Sequence, residues 1–192
     1  MLKDKVVIVT GAAMGMGKSS AELFAENGAK VIIADFNKEE GQKVADAIKT
    51  DGGEATFIEV DVSNEEQVKN LVEKTVETYG RLDGALNNAA LTPDDKMIAE
   101  MDMDYYDRLM SVDLKGVFLC MKYELQQMVE QGDGGAIVNT SSVSGIRPQP
   151  ANPAYVAAKH GVIGATKQAA MDYGDHNIRI NSVAPGAIDT PM

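Results

Sequence analysis

Tyr155 and Lys159 stand four residues apart, and Ser142 precedes the tyrosine by thirteen. On a helix, positions i and i+4 share a face, so this phenol and ammonium enter one cleft together. A free tyrosine ionises at about pH 10, too high for efficient proton transfer at neutrality, and a nearby ammonium stabilises the phenolate. The spacing therefore predicts that Lys159 lowers the pKa of Tyr155, while Ser142 donates to the same substrate oxygen and fixes it. Such a trio suits interconversion of an alcohol and a carbonyl compound, Tyr155 moving the proton and a nicotinamide carrying the hydride. A serine hydrolase does not fit, because there is no G-x-S-x-G elbow. His160, adjacent to Lys159 but on another helical face, reads as structural.

A hydride carrier needs a binding loop, and Thr10-Gly11-Ala-Ala-Met14-Gly15-Met16-Gly17 offers one. Glycines let a backbone turn tightly and approach a diphosphate, and the following helix presents free N–H groups. The spacing is G-x-x-x-G-x-G rather than G-x-G-x-x-G, so a turn that merely joins a strand to a helix is the alternative. Asp35 lies 18 residues past Gly17, near the offset of an acid that bonds the adenosine ribose. Its carboxylate would repel a 2′-phosphate, and no Lys or Arg follows before Lys38, which favours NAD over NADP. Asp61, followed by Val62, could accept from an adenine amino group or simply form a turn.

These scattered residues need a frame that gathers them. Apolar runs predict strands at 6–10, 30–35, 55–61, 84–88, 136–141 and 178–183. Helical patterns fill 15–27, 38–50, 106–131 and 154–173, and a further helix runs to Tyr79, capped by Ser63 with Glu66 three residues on. Gly28 stands where a helix-ending glycine belongs. Strands alternating with helices predict one α/β domain over 1–192, a doubly wound, Rossmann-like parallel sheet with helices on both faces. Ligands of such sheets sit beyond the carboxyl ends of the strands, which is where the residues above fall.

Composition narrows the partners. The net charge of −11, spread over both halves, disfavours nucleic acid and anionic membranes. One cysteine, Cys120, allows no intrachain disulfide, and two distant histidines give no zinc cluster, so no metal is expected. No apolar run is long enough for a bilayer and the N-terminus does not read as a signal peptide, so a cytoplasmic location is expected.

In these motifs the chain resembles the short-chain dehydrogenase/reductase family, and the likeness runs through essentially its whole length. The family's T-G-x-x-x-G-x-G is similar to Thr10 through Gly17, its N-N-A-G to Asn87-Asn88-Ala89-Ala90, and its P-G to Pro185-Gly186. Its serine, tyrosine and lysine correspond to Ser142, Tyr155 and Lys159. The resemblance implies a catalytic set of Ser142, Tyr155, Lys159 and Asp113. It further implies a cofactor cleft that includes Asn88, Ala89, Tyr155, Lys159, Pro185 and Gly186, with Ile188 at the nicotinamide carboxamide and Thr190 at the diphosphate. Two departures stand out. Ala90 replaces the last glycine of N-N-A-G, and Asp113 replaces a helix asparagine that helps hold a water linking the lysine to solvent. An aspartate there could pair with Lys159 and weaken its effect on Tyr155.

The resemblance implies an NAD(H)-dependent dehydrogenase or reductase of a secondary alcohol and ketone. Apolar Leu91, Val143, Ile146 and Pro148 on the expected substrate side suit a secondary alcohol or ketone, cyclic or open-chain. The alternatives are a reductase of acyl-carrier thioesters, which Asp35 disfavours, and a non-catalytic dinucleotide sensor. The resemblance also implies a homodimer or homotetramer through the two long helices, unless their apolar residues only face the sheet. Finally, the chain stops at Asp189-Thr190-Pro191-Met192, where the family continues into a substrate-covering loop and a last strand, so it is expected to be incomplete relative to the family.

Overall fold

A computed structural model describes residues 2–190. Strands β1 (Val6–Thr10), β2 (Lys30–Asp35), β3 (Glu54–Glu59), β4 (Gly84–Asn87), β5 (Gly135–Thr140) and β6 (Ile178–Val183) form one sheet in the order β3-β2-β1-β4-β5-β6. Every pairing is parallel. Helices α1 (Gly15–Glu26), α2 (Lys38–Thr50), α3 (Glu65–Tyr79), α4 (Met103–Met110), α5 (Val117–Gln131) and α6 (Pro153–Asp172) connect them. The expected single-domain, doubly wound architecture is thus the observed one.

Side chains alternate across the sheet and build two cores. Ile8, Ile32 and Ile137 pack with Leu71 of α3, Leu125 of α5 and Val162 of α6. Val9, Val31 and Ile33 pack on the other face with Ala21 of α1 and Val44 of α2. Each such Val, Leu or Ile contributes roughly 1.5–3 kcal/mol relative to exposure. Central β1 is buried along its whole length, which is why its sequence is uninterrupted Val-Val-Ile-Val. Helices lie on both faces, as predicted: α3, α5 and α6 on one, α1 and α2 on the other. β6 alternates, with Ile178 and Ile180 buried but Arg179 and Asn181 exposed. The helices α1 and α2 pack mainly on β1, β2 and β3.

Two local expectations are corrected. The helix after β3 is capped by Asn64, whose side chain accepts from Gln67 N, because Ser63 instead hydrogen-bonds Asp61. The long helix predicted from 106 begins at Met103 and contains a widened π-helical turn, Ser111–Gly116. Close packing surrounds this turn: a Cβ on Gly116 would lie 2.9 Å from Val62 Cγ2, and one on Gly161 of α6 would lie 2.8 Å from Leu114 Cδ1. Such turns are often found at functional sites, and this one holds Asp113 fully buried. On α5, Val117, Leu119, Cys120, Met121, Leu125 and Met128 are buried, so most of its apolar residues face inward, while Phe118 is exposed. Among the described residues no helix is long and apolar enough to cross a membrane, and no group of three His, Cys, Asp or Glu is arranged to hold a metal.

Candidate active site

Because all six strands run parallel, the segments that follow them meet at one edge of the sheet. Backbone bonds join these segments across the strands: Ala12 N to Ala34 O (3.4 Å), Val60 N to Asp35 O (3.0 Å), Ser141 N to Val183 O (2.8 Å) and Val143 N to Pro185 O (2.8 Å).

The glycine loop after β1 is held from two sides. Gly11 has φ +64°, a conformation that favours glycine. A Cβ there would lie 2.8 Å from Ala89 Cα, and one on Gly17 would overlap the Gly11 carbonyl oxygen, so both glycines are dictated by close packing. From the β4 side, Asn88 N and Ala89 N donate to Thr10 Oγ1 (2.9 and 3.2 Å), and Asn88 Nδ2 donates to Thr10 O (3.2 Å). From the β2 side, Asp35 accepts from Ala13 N through Oδ2 and from Asn37 N through Oδ1, both at 2.9 Å. Asp35 therefore clamps the loop, with acceptor capacity left on each oxygen. The helix that follows is left open. Met14 caps α1 without a side-chain bond and its first turn has no acid, whereas α2 and α3 are each capped by an asparagine and carry two acids there. The N–H groups at Gly15, Met16 and Gly17 thus remain a fit for a diphosphate.

The remaining positions fall into place unevenly. Asp61 Oδ1 accepts from Ser63 N and Ser63 Oγ (2.9 and 2.7 Å), the turn-forming alternative named for it. Val62 is buried against the π turn. Beyond β6, Gly186 borders open space, Ile188 is exposed and Thr190 is half-buried.

The proton-handling residues converge. Ser142 follows β5 and caps a short 3-10 turn by accepting from Ser144 N (3.1 Å). Gly145 of that turn lies against α6, where a Cβ would lie 2.6 Å from Lys159 O. Tyr155 and Lys159 share one face of α6, as their spacing requires. Lys159 is 1% exposed; its Nζ lies 5.3 Å from the centre of the Tyr155 ring and donates to Thr140 O (3.2 Å). The π turn brings Asp113 Oδ2 to 3.3 Å from Lys159 Nζ, while Oδ1 accepts from Leu91 N (2.8 Å). Oδ2 has the distance of an ion pair but not the alignment of a hydrogen bond. Burial pushes the Asp113 carboxyl above its usual range, against the pull of the ammonium.

The expected lowering of the Tyr155 pKa is not found. Burial raises it above the ordinary value and the Asp113 carboxylate adds to the rise, while the Ser142 hydroxyl acts in the other direction. The main physical reason is burial of the phenol, which disfavours its charged form. The protein's own groups thus hold Tyr155 as the protonated phenol.

Two contributors escaped sequence reasoning. Asp94, on the loop after β4, is buried and accepts from Ala154 N and Tyr155 N (3.2 and 2.9 Å). Helix caps are sought in the residue just before a helix, so an acid sixty residues upstream gives no signal. Glu124 of α5 is buried with Asn87 and Asn139, Asn87 Nδ2 donating to Glu124 Oε2 and to Asn139 Oδ1 (both 3.0 Å).

Comparison with known proteins identifies the family and the fold. The family model described as short chain dehydrogenase matches residues 5–192. The chain is 44% identical over 191 residues to a 2,5-dichloro-2,5-cyclohexadiene-1,4-diol dehydrogenase of Sphingobium indicum, covering 100% of this chain and 75% of that protein. It is 43% identical over 189 residues to a cyclohexanol dehydrogenase of an Acinetobacter strain, covering 98% and 75%. The crystal structure of levodione reductase superimposes with a TM-score of 0.96 at 40% identity, over 100% of this chain and 75% of that one.

Proposed function

Since the chain belongs to the short-chain dehydrogenase family, we propose that it interconverts a cyclic secondary alcohol and its ketone with NAD(H), Tyr155 exchanging the proton. That it is an oxidoreductase of this family, acting on a small molecule, follows from its relatives. The finer reading is carried by one observation: the conjunction of Ser142, Tyr155 and buried Lys159 at the same strand ends as an uncapped, glycine-led helix.

When bound, the nicotinamide ring supplies or accepts the hydride. The chain does the rest. Gly11, Met14, Gly15, Met16 and Gly17 would hold the diphosphate, with Thr190 beside it. Asp35 would bond the adenosine ribose with its free lone pairs and reject a 2′-phosphate. Asp61 and Val62 would border the adenine, and Asn88, Ala89, Pro185, Gly186 and Ile188 the nicotinamide half. Lys159 would reach the second ribose beside Tyr155. Ser142 orients the substrate oxygen, and Tyr155, held as a neutral phenol, donates a proton to it in the reducing direction. Leu91, Val143, Ile146 and Pro148 offer the apolar wall. Two relatives are named for ring diols or alcohols and the structural neighbour for a dione, which supports a ring substrate. The exposed Phe118 of α5 suits a homodimer or homotetramer built on α5 and α6.

The test is nucleotide titration followed by turnover. NADH should bind at least about tenfold more tightly than NADPH, the value of roughly one charge-assisted contact. Cyclohexanone should then drive oxidation of NADH. Tighter NADPH binding would overturn the Asp35 argument, and nucleotide binding without turnover on any ketone or alcohol would favour a sensor.

A further inference from the structure

Helix α6 carries Tyr155 in its first turn, so whatever fixes that turn fixes the phenol. The first turn of a helix has N–H groups with no partner of their own. Pro153 opens α6 and has none to offer. Val156 N is satisfied by Asn152 O at 2.9 Å. The two that remain, Ala154 N and Tyr155 N, both donate to the carboxylate of Asp94, through Oδ2 and Oδ1 respectively. Asn152, the residue placed to cap the helix, makes no side-chain cap; its amide donates to the Asp94 carbonyl instead. The helix is therefore capped from the β4 side of the molecule.

That cap belongs to a short strap tied at several points. Leu91 N donates to Asp113 Oδ1, and Thr92 O accepts from the Tyr105 hydroxyl of α4. One stretch, Leu91 to Asp94, thus grips Asp113 at one end and the backbone of Tyr155 at the other. A local cap would only complete the helix; this one ties the first turn of α6 to the loop after β4. We infer that Asp94 is a positioning residue for Tyr155, anchoring the first turn of α6 so that the phenol meets the substrate oxygen. The inference rests on the reading of Tyr155 as the proton donor. The residue touches no reacting atom and acts through Tyr155 alone.

The experiment compares Asp94→Ala and Asp94→Asn in the wild-type and Tyr155→Phe backgrounds. Cyclohexanol with NAD supplies the turnover assay, nicotinamide fluorescence the NADH affinity, and amide exchange the state of the helix end. A misplacement of about 1 Å costs on the order of 100-fold in rate, so Asp94→Ala should lower kcat by roughly 30- to 100-fold. NADH affinity should stay within about twofold, because the glycine loop is untouched. Asp94→Asn, which keeps one acceptor, should fall between, and it carries the test if the alanine variant does not fold. In the Tyr155→Phe background the Asp94 changes should alter residual turnover by less than about twofold, since residues acting through one group are not additive. A kcat within twofold of wild type, a parallel loss of NADH affinity, or an equal loss in the Tyr155→Phe background would each overturn the inference. A wild-type protein inactive on alcohols and ketones would instead count against the function proposed above. The anchor would then be judged by exchange of the Tyr155 amide, expected to be at least about tenfold faster in Asp94→Ala and unchanged if Asp94 holds nothing.

Discussion

Replacing Glu124 with glutamine should remove a pH dependence from the stability of the fold. Glu124 is 1% exposed, and Asn87 Nδ2 donates to it at 3.0 Å. Burial pushes its carboxyl from 4.5 up to about 7, and the Asn87 bond only partly opposes this. A carboxyl whose folded pKa lies above its unfolded one favours folding when protonated. Its contribution is full below about pH 4.5 and is lost as pH rises through about 7. A rise of that size corresponds to roughly 3 kcal/mol at complete ionisation. Glutamine keeps an acceptor for Asn87 and cannot ionise. Urea unfolding of both proteins from pH 5 to pH 8 provides the assay, and subtracting one curve from the other cancels every other titrating group. The variant's stability relative to wild type should climb by about 2–3 kcal/mol across that range. A difference constant to within about 0.5 kcal/mol would refute the claim that burial raises this carboxyl's pKa.

Three other outcomes are expected. Asp113→Asn removes a negative charge that raises Tyr155, so the alkaline rise in alcohol oxidation should begin at lower pH than in wild type; superimposable pH–rate profiles would deny the carboxylate a role. Gly17→Ala drives a methyl into the Gly11 carbonyl, and should cost about 1–3 kcal/mol of stability while weakening NADH binding in a fluorescence titration. Asp35→Ser should reduce the preference for NADH over NADPH by roughly tenfold in the same titration, and an unchanged ratio would free Asp35 of that role.

The residues show why some of this was legible in sequence and some was not. The bounds of β1 and β2 could be read to the residue because each has a continuous apolar centre, and those of β6 because Ile178 and Ile180 alternate with polar residues. The pairing of Tyr155 with Lys159 could be read because helical periodicity is local. The turn that holds Asp113 could not, since the packing around it joins Gly116 to Val62 and Leu114 to Gly161, residues far apart in sequence. Nor could the resting state of Tyr155. Its sequence spacing reports a nearby ammonium, but not the burial and the Asp113 carboxylate that raise its pKa. The exposed side of β6 escaped for a related reason: which helix covers which strand is a matter of packing, not of strand composition. Asp94 marks the limit most sharply, a cap that is local in space and remote in sequence.

If Tyr155 moves the proton in a hydride-transfer site built on these strand ends, its hydroxyl is indispensable to turnover but not to nucleotide binding. Steady-state oxidation of NADH by cyclohexanone, measured for wild type and Tyr155→Phe with nucleotide affinity recorded in parallel, tests it most directly. The wild type should turn over, and the variant should show a kcat lower by on the order of 100-fold or more with NADH affinity nearly unchanged. A variant that turns over at the wild-type rate would contradict this role.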